Sequence, residues 1–105
     1  EEKGLSDKIG LPKKKIENST HVYHQYIIRV KNRDEVQKHL KENNISTSVY
    51  YPKPLHLQKC YSDLGYKKGD LSVAEKACDE VLALPIDPNL TRNQIEYVVD
   101  NIINI

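Results

Sequence analysis

Two closely spaced prolines, Pro52 and Pro54, constrain the middle of this 105-residue chain more than any other feature. Each proline lacks a backbone N–H donor and biases the residue before it toward extended geometry. Residues 50–55 are therefore predicted to form a stiff, exposed connection, and the longer stretch 50–58, YYPKPLHLQ, is called the proline segment below. Polar side chains on such a fixed backbone suit recognition of a polyhydroxylated ligand, because little ordering then opposes binding. A tightly packed turn, with its tyrosines lying on a sheet edge, is the other interpretation that these residues leave open.

The chain before the proline segment predicts a strand, a helix and a second strand. Residues 21–30, HVYHQYIIRV, alternate with period two and are rich in β-branched and aromatic side chains, which is typical of a strand. Asn32 stands three residues before Glu35, a spacing that predicts a capped helix start. The asparagines at 43–44 are suited to end that helix. Alternation over residues 45–49 then predicts the second strand.

The chain after the proline segment predicts further helices and a third strand. A short helix is expected near residues 57–61, and Ser72 with Glu75 repeats the capping spacing ahead of a longer helix. The apolar run at 82–86 predicts the third strand.

The C-terminal end carries the strongest helical pattern. Thr91 and Gln94 form a third capping spacing, and an apolar stripe follows: Ile95, Val98, Val99, Ile102 and Ile103. The order of elements predicts an α+β fold, a small three-stranded, mainly antiparallel sheet with helices packed on one face. Residues 1–20 are interpreted as a linker or tail, and residues 21–105 as the folded domain.

Composition narrows the classes of function. The net charge of +1 gives no basic excess for nucleic-acid binding, and no apolar run reaches the roughly 20 residues that span a bilayer. Phe, Trp and Met are absent, so the core is lean, and we expect apolar and tyrosine surface near Tyr50 and Tyr51 to be left for docking. Cys60 and Cys78 form no disulfide framework, and reduced thiols indicate a cytoplasmic protein.

Neither a metal site nor a catalytic thiol is predicted. His56, Cys60 and Cys78 lack the paired spacings of zinc ligands, and His21 and His24 fall on opposite faces of a strand. Cys78 lies close to the apolar stripe of its helix and is interpreted as a core residue.

Taken in order, these elements resemble the C-terminal region of the DegT/DnrJ/StrS aminotransferases. The resemblance covers roughly residues 20–105, and it is sharpest at Y-P-x-P-L-H-x-Q, residues 51–58, and at L-P-I-D-P-x-L-T, residues 84–91. It implies the C-terminal small domain of a fold-type I enzyme that uses pyridoxal phosphate to transfer an amino group to a keto group of a nucleotide-activated sugar. The amino donor is commonly glutamate in this family.

The resemblance also implies partners and the position of the catalytic centre. The family's large domain carries the Schiff-base lysine and most cofactor contacts, and the active site lies at a homodimer interface. No catalytic residue and no bound pyridoxal phosphate are therefore expected in this chain alone, which would pair with its own large domain and a second subunit.

Within this frame the proline segment borders the sugar-nucleotide site. The resemblance assigns substrate binding to Tyr51 and His56, with Tyr50, Lys53 and Gln58 as further candidates. Many relatives have His in place of Tyr50. A family member with a regulatory, non-catalytic role is one alternative. A free-standing α+β module that binds a metabolite or a protein without catalysis is another.

Overall fold

The computed structural model describes residues 8–105 and alternates short strands with helices. In chain order the elements are β1 (Tyr26–Arg29), α1 (Arg33–Glu42), two 3-10 helices (Leu55–Leu57 and Lys59–Leu64), α2 (Ser72–Glu80), β2 (Val81–Leu84) and α3 (Arg92–Ile103). The predicted α+β character is confirmed. None of the helices in residues 8–105 has the length and apolar character needed to cross a bilayer.

The sheet is smaller than the sequence predicts. β1 and β2 pair antiparallel, with Ile28 opposite Leu82, and single bridges join Gly10 to Arg29 and Ser48 to Ala83. The described part of the chain thus has two strands, and the strand predicted over residues 45–49 is reduced to the bridge at Ser48.

Local turns explain why the strands are short. Tyr23 adopts a left-handed backbone with φ 47°, and its N–H donates to His21 Nδ1 at 2.9 Å, so residues 21–23 turn instead of extending β1. The N–H of Ile45 donates to the carbonyl of Leu40 at 2.8 Å, which holds Ile45 at the end of α1. β2 ends at Leu84 because Pro85 has no N–H to donate.

The core lies between the sheet and two helices. Ile28, Leu40 and Leu82 are its fully buried side chains, and Ile102 of α3 packs against them. Ile9 is also buried, and Gly10 pairs with Arg29, so residues 9–10 contact the folded unit. The domain boundary expected at residues 20–21 stays a prediction.

The three predicted helix starts have different outcomes. The box at Thr91 is confirmed: the N–H of Gln94 donates to Thr91 Oγ1 at 3.3 Å, and Gln94 Oε1 accepts from the Thr91 N–H at 2.9 Å. The helix start at Asn32 is confirmed, since Asn32 is the N-cap residue of α1, but the predicted side-chain capping bond is absent and the residue is left-handed with φ 53°. The cap at Ser72 is wrong, since Ser72 is the first helical residue. The N-cap residue is Leu71, whose side chain makes no capping hydrogen bond.

Candidate functional site

The proline segment leaves the sheet at the Ser48 bridge. Ser48 exchanges two backbone hydrogen bonds with Ala83, at 3.2 and 2.8 Å. Pro54 is extended, with φ −67° and ψ 147°, and the chain then tightens into the 3-10 helix Leu55–Leu57. The connection predicted from the two prolines is therefore present as far as Pro54, and a helical turn follows it.

Both tyrosines of the proline segment face solvent. Tyr50 is 41% exposed and Tyr51 is 70% exposed, which confirms the exposed tyrosine surface expected here. Their rings meet edge to face, with centroids 5.7 Å apart. The phenol groups are free to donate to and accept from a polar ligand.

Lys53 and Gln58 complete the polar side chains of the exposed surface. Lys53 is exposed, and its backbone carbonyl accepts a long hydrogen bond from Gln58 Nε2 at 3.4 Å. Gln58 is half-buried, and this hydrogen bond connects the end of the proline segment to its middle.

His56 points the other way, into the protein. Its side chain is only 5% exposed, and Nε2 lies 2.8 Å from Oε1 of Glu75 on α2. The ring of Tyr66 packs edge-on against it, with centroids 6.1 Å apart. His56 therefore does not share a surface with Tyr51, although the sequence groups the two residues.

Glu75 is the residue that the sequence prediction missed. Its carboxylate accepts from His56 and also from the N–H of Gly69, at 2.8 and 3.0 Å to its two oxygens. The hydrogen bond from His56 is the largest cause that holds the pKa of Glu75 below its ordinary value, and the Gly69 N–H adds to it, while burial opposes both. The capping spacing suggested a local role for Glu75, and no local signal revealed its pairing with His56.

Two open grooves flank the sheet. One, of about 450 Å³, borders Tyr50 and has mixed polar lining that includes His24, Gln25, Thr47 and Asp87. The larger, of about 860 Å³, is mainly apolar and lies between β1 and α3, with Tyr26, Ile95 and Val99 among its walls. No residue of the proline segment lines the larger groove, whereas Tyr50 lines the smaller one. The larger groove is therefore not the one that the predicted site residues border.

The described residues do not fit pyridoxal phosphate as a covalent partner. Every lysine in residues 8–105 is exposed, whereas a Schiff-base lysine is activated by a desolvated setting. Residues 8–105 also contain no group of three His, Cys, Asp or Glu side chains placed to hold a metal ion.

The structure is a small α+β unit with a two-stranded antiparallel sheet, and Tyr50 and Tyr51 of the proline segment are exposed on its surface. Residues 3–103 match the model of the DegT/DnrJ/EryC1/StrS aminotransferase family, and the chain belongs to that family. The predicted resemblance is confirmed.

Curated relatives and solved structures show the same similarity. The "Pleiotropic regulatory protein" of Geobacillus stearothermophilus is 50% identical over 101 residues, which are 96% of this chain and 27% of that protein. The "dTDP-3-amino-3,6-dideoxy-alpha-D-galactopyranose transaminase" of Aneurinibacillus thermoaerophilus is 38% identical over 84 residues, 80% of this chain and 23% of that protein.

Among solved structures, S. venezuelae DesV in complex with a ketimine intermediate superposes with a TM-score of 0.87 at 36% identity, covering 97% of this chain and 28% of that one. Bacillus subtilis ntda with bound cofactor PMP gives a TM-score of 0.77 at 32% identity, covering 95% and 24%. The chain spans about a quarter of the length of these proteins.

Proposed function

We propose that this chain is the C-terminal small domain of a longer, cytoplasmic, pyridoxal-phosphate-dependent sugar aminotransferase of fold type I. Its proline segment would form a wall of the nucleotide-sugar site. Family membership and relatives named as nucleotide-sugar transaminases support the activity. The observation that carries the role of this chain is the exposed Tyr50–Tyr51 pair, set on a backbone stiffened by Pro52.

The side chains of the proline segment suit a sugar diphosphate. Tyr51, the more exposed ring, offers a hydroxyl that both donates and accepts, as sugar hydroxyls require. Lys53 offers an exposed cation suited to a diphosphate, and Tyr50 and Gln58 are further contacts. His56 is assigned to the same site through its hold on the segment, since its ring faces Glu75.

The chemistry belongs to the longer protein. When bound there, pyridoxal phosphate would supply the electron sink for moving an amino group from a donor such as glutamate to the ketosugar. The lysine that binds this cofactor would lie in the large domain. Residues of this chain would bind and orient the sugar, and the large domain and a second subunit would close the site as a homodimer.

The proposed role is tested by substitution in the longer protein. Amino transfer from dTDP-3-amino-3,6-dideoxy-α-D-galactopyranose, and from its UDP-linked counterpart, is measured for Tyr51→Ala, Tyr51→Phe and the control Tyr61→Phe. Tyr51→Ala is expected to raise KM for the nucleotide sugar by about tenfold, which corresponds to about 1.4 kcal/mol of binding. The half-reaction with glutamate should not change. A KM for Tyr51→Ala equal to that of Tyr61→Phe would contradict the placement.

A regulatory, non-catalytic role is the second candidate, because the relative at 50% identity is named a pleiotropic regulatory protein. Visible absorption separates the two. The longer protein mixed with pyridoxal phosphate should show a stoichiometric visible band if it is an aminotransferase, and residues 1–105 alone should not. Absence of the band from the longer protein would favour the regulatory role.

A further inference from the structure

One carboxylate joins three separate stretches of the chain near the proline segment. Glu75 on α2 bonds the imidazole of His56 at 2.8 Å, although the two residues are 19 positions apart. The same carboxylate accepts from the N–H of Gly69, at 2.8 and 3.0 Å. Gly69 has φ 98°, a conformation that a side chain would oppose, so its N–H is presented by a turn that favours glycine.

This junction is shielded from water. The side chains of His56 and Glu75 are 5% and 16% exposed, and the ring of Tyr66 lies nearly perpendicular to the imidazole. Hydrogen bonds to an ionised carboxylate are stronger than neutral ones, and partial burial limits competition from solvent. The junction therefore links the 3-10 helix Leu55–Leu57 to α2 through the His56–Glu75 contact.

The proline segment is consequently anchored at both ends. Ser48 pairs with β2 just before it, and His56 is held by Glu75 near its far end. Between these anchors Pro52 and Pro54 remove two backbone rotations. Fixing His56 therefore restricts the directions in which Tyr51 can point.

We propose that Glu75 is the positioning residue of the proline segment: through His56 it sets the orientation of Tyr51 toward the nucleotide sugar. The identity of the substrate in this inference rests on the proposed function. The anchoring of the proline segment by Glu75 does not. The same contact with His56 is the largest cause that lowers the pKa of Glu75, and an ionised carboxylate can only accept hydrogen bonds. His56 Nε2 must then carry the proton, which fixes the tautomer of the ring.

The test uses the longer protein with Glu75→Gln, His56→Ala and the double variant, and with Asp79→Asn as the matched control. Asp79 lies on the same helix and is exposed. The control variant therefore removes a carboxylate from α2 but leaves the contacts of Glu75 with His56 and Gly69 in place. With the dTDP-linked amino sugar as probe, Glu75→Gln is expected to raise KM by about fivefold to tenfold, with kcat and the glutamate half-reaction within about twofold. Because both residues act through one contact, the double variant should be no worse than the more damaging single variant.

Hydrogen exchange measured by mass spectrometry tests the anchoring without any substrate. Peptides that cover residues 50–58 and Gly69 should exchange faster in Glu75→Gln than in Asp79→Asn. Equal exchange in the two variants would overturn the inference. So would additive effects of Glu75→Gln and His56→Ala on KM.

The two proposals fail in different ways. If Tyr51→Ala leaves KM unchanged while exchange in residues 50–58 rises in Glu75→Gln, the proposed function is wrong and the anchoring stands. If Tyr51→Ala raises KM and Glu75→Gln does not, the positioning role is wrong.

A measurement on the unmodified protein covers the case of a variant that does not fold. ¹⁵N-histidine NMR should show a slowly exchanging Nε2–H on His56, and an unprotonated Nε2 at neutral pH would overturn the inference.

Discussion

Arg33 Nη1 donates to the carbonyl oxygen of Cys78 at 3.0 Å and so joins the first residue of α1 to the last turn of α2. The same atom lies 3.3 Å from the carbonyl oxygen of Val81, and the residue is only 9% exposed. A buried cation here satisfies carbonyl groups at a helix C-terminus and interacts favourably with the helix dipole. The contact links residues that are 45 positions apart.

Replacing Arg33 should therefore destabilise the fold. We expect Arg33→Ala to lower the free energy of unfolding by about 1.5–3 kcal/mol, the usual range for hydrogen bonds to charged groups. Arg33→Lys should retain only part of the stability that Arg33→Ala loses, because an ammonium group lacks the planar set of donors of a guanidinium. Urea denaturation measures both. The control is Arg92→Ala, whose exposed pair with Glu96 should contribute less than about 1 kcal/mol. Equal losses for Arg33→Ala and Arg92→Ala would contradict the assigned role.

The Glu75 carboxylate should make stability depend on acidity. Its pKa is lowered in the folded protein, so the unfolded chain binds more protons on acidification. The stability of the fold therefore decreases as the pH decreases. The stabilisation is complete above the ordinary glutamate pKa of about 4.3 and is lost as pH falls through the lower native value. Thermal unfolding followed from about pH 6 to pH 3 should show this loss. Glu75→Gln should flatten that part of the profile, whereas Asp79→Asn should keep it.

Much of the fold could be predicted because the signals involved are local. The stripe of α3 and the Thr91–Gln94 box lie within one or two helical turns, and both are present as predicted. The extended backbone at Pro54 likewise follows from the chemistry of proline.

The predictions that were wrong depended on contacts made elsewhere in the chain. Glu75 has the spacing of a capping residue, yet its carboxylate turns to His56 and Gly69. Residues 45–49 alternate like a strand, but Ile45 is held at the end of α1, and only Ser48 pairs with β2. Sequence periodicity reports which face of a segment is apolar, and it does not report which distant group competes for a side chain or an N–H.

The Thr91 box should stabilise the start of α3 by a measurable amount. Thr91→Ala removes the acceptor for the Gln94 N–H and is expected to cost about 1 kcal/mol. Thr91→Ser keeps the oxygen and should remain close to the unmodified protein. Chemical denaturation of the two variants provides the comparison. A loss in Thr91→Ser as large as that in Thr91→Ala would show that the methyl group, not the cap, matters.

The facing pair Ile28 and Leu82 should dominate the stability of the sheet. Both side chains are 0% exposed, and they sit opposite each other in the β1–β2 register. Leu82→Ala should lower the free energy of unfolding by about 2–5 kcal/mol, because it removes buried methyl groups and leaves a cavity. Val73→Ala, at a position that is 80% exposed, is the apolar control and should change stability by less than about 0.5 kcal/mol. Ile28→Val combined with Leu82→Ala should deviate from additivity, because the two side chains are direct cross-strand neighbours. Strict additivity in urea denaturation would mean that the two residues do not share one packed contact.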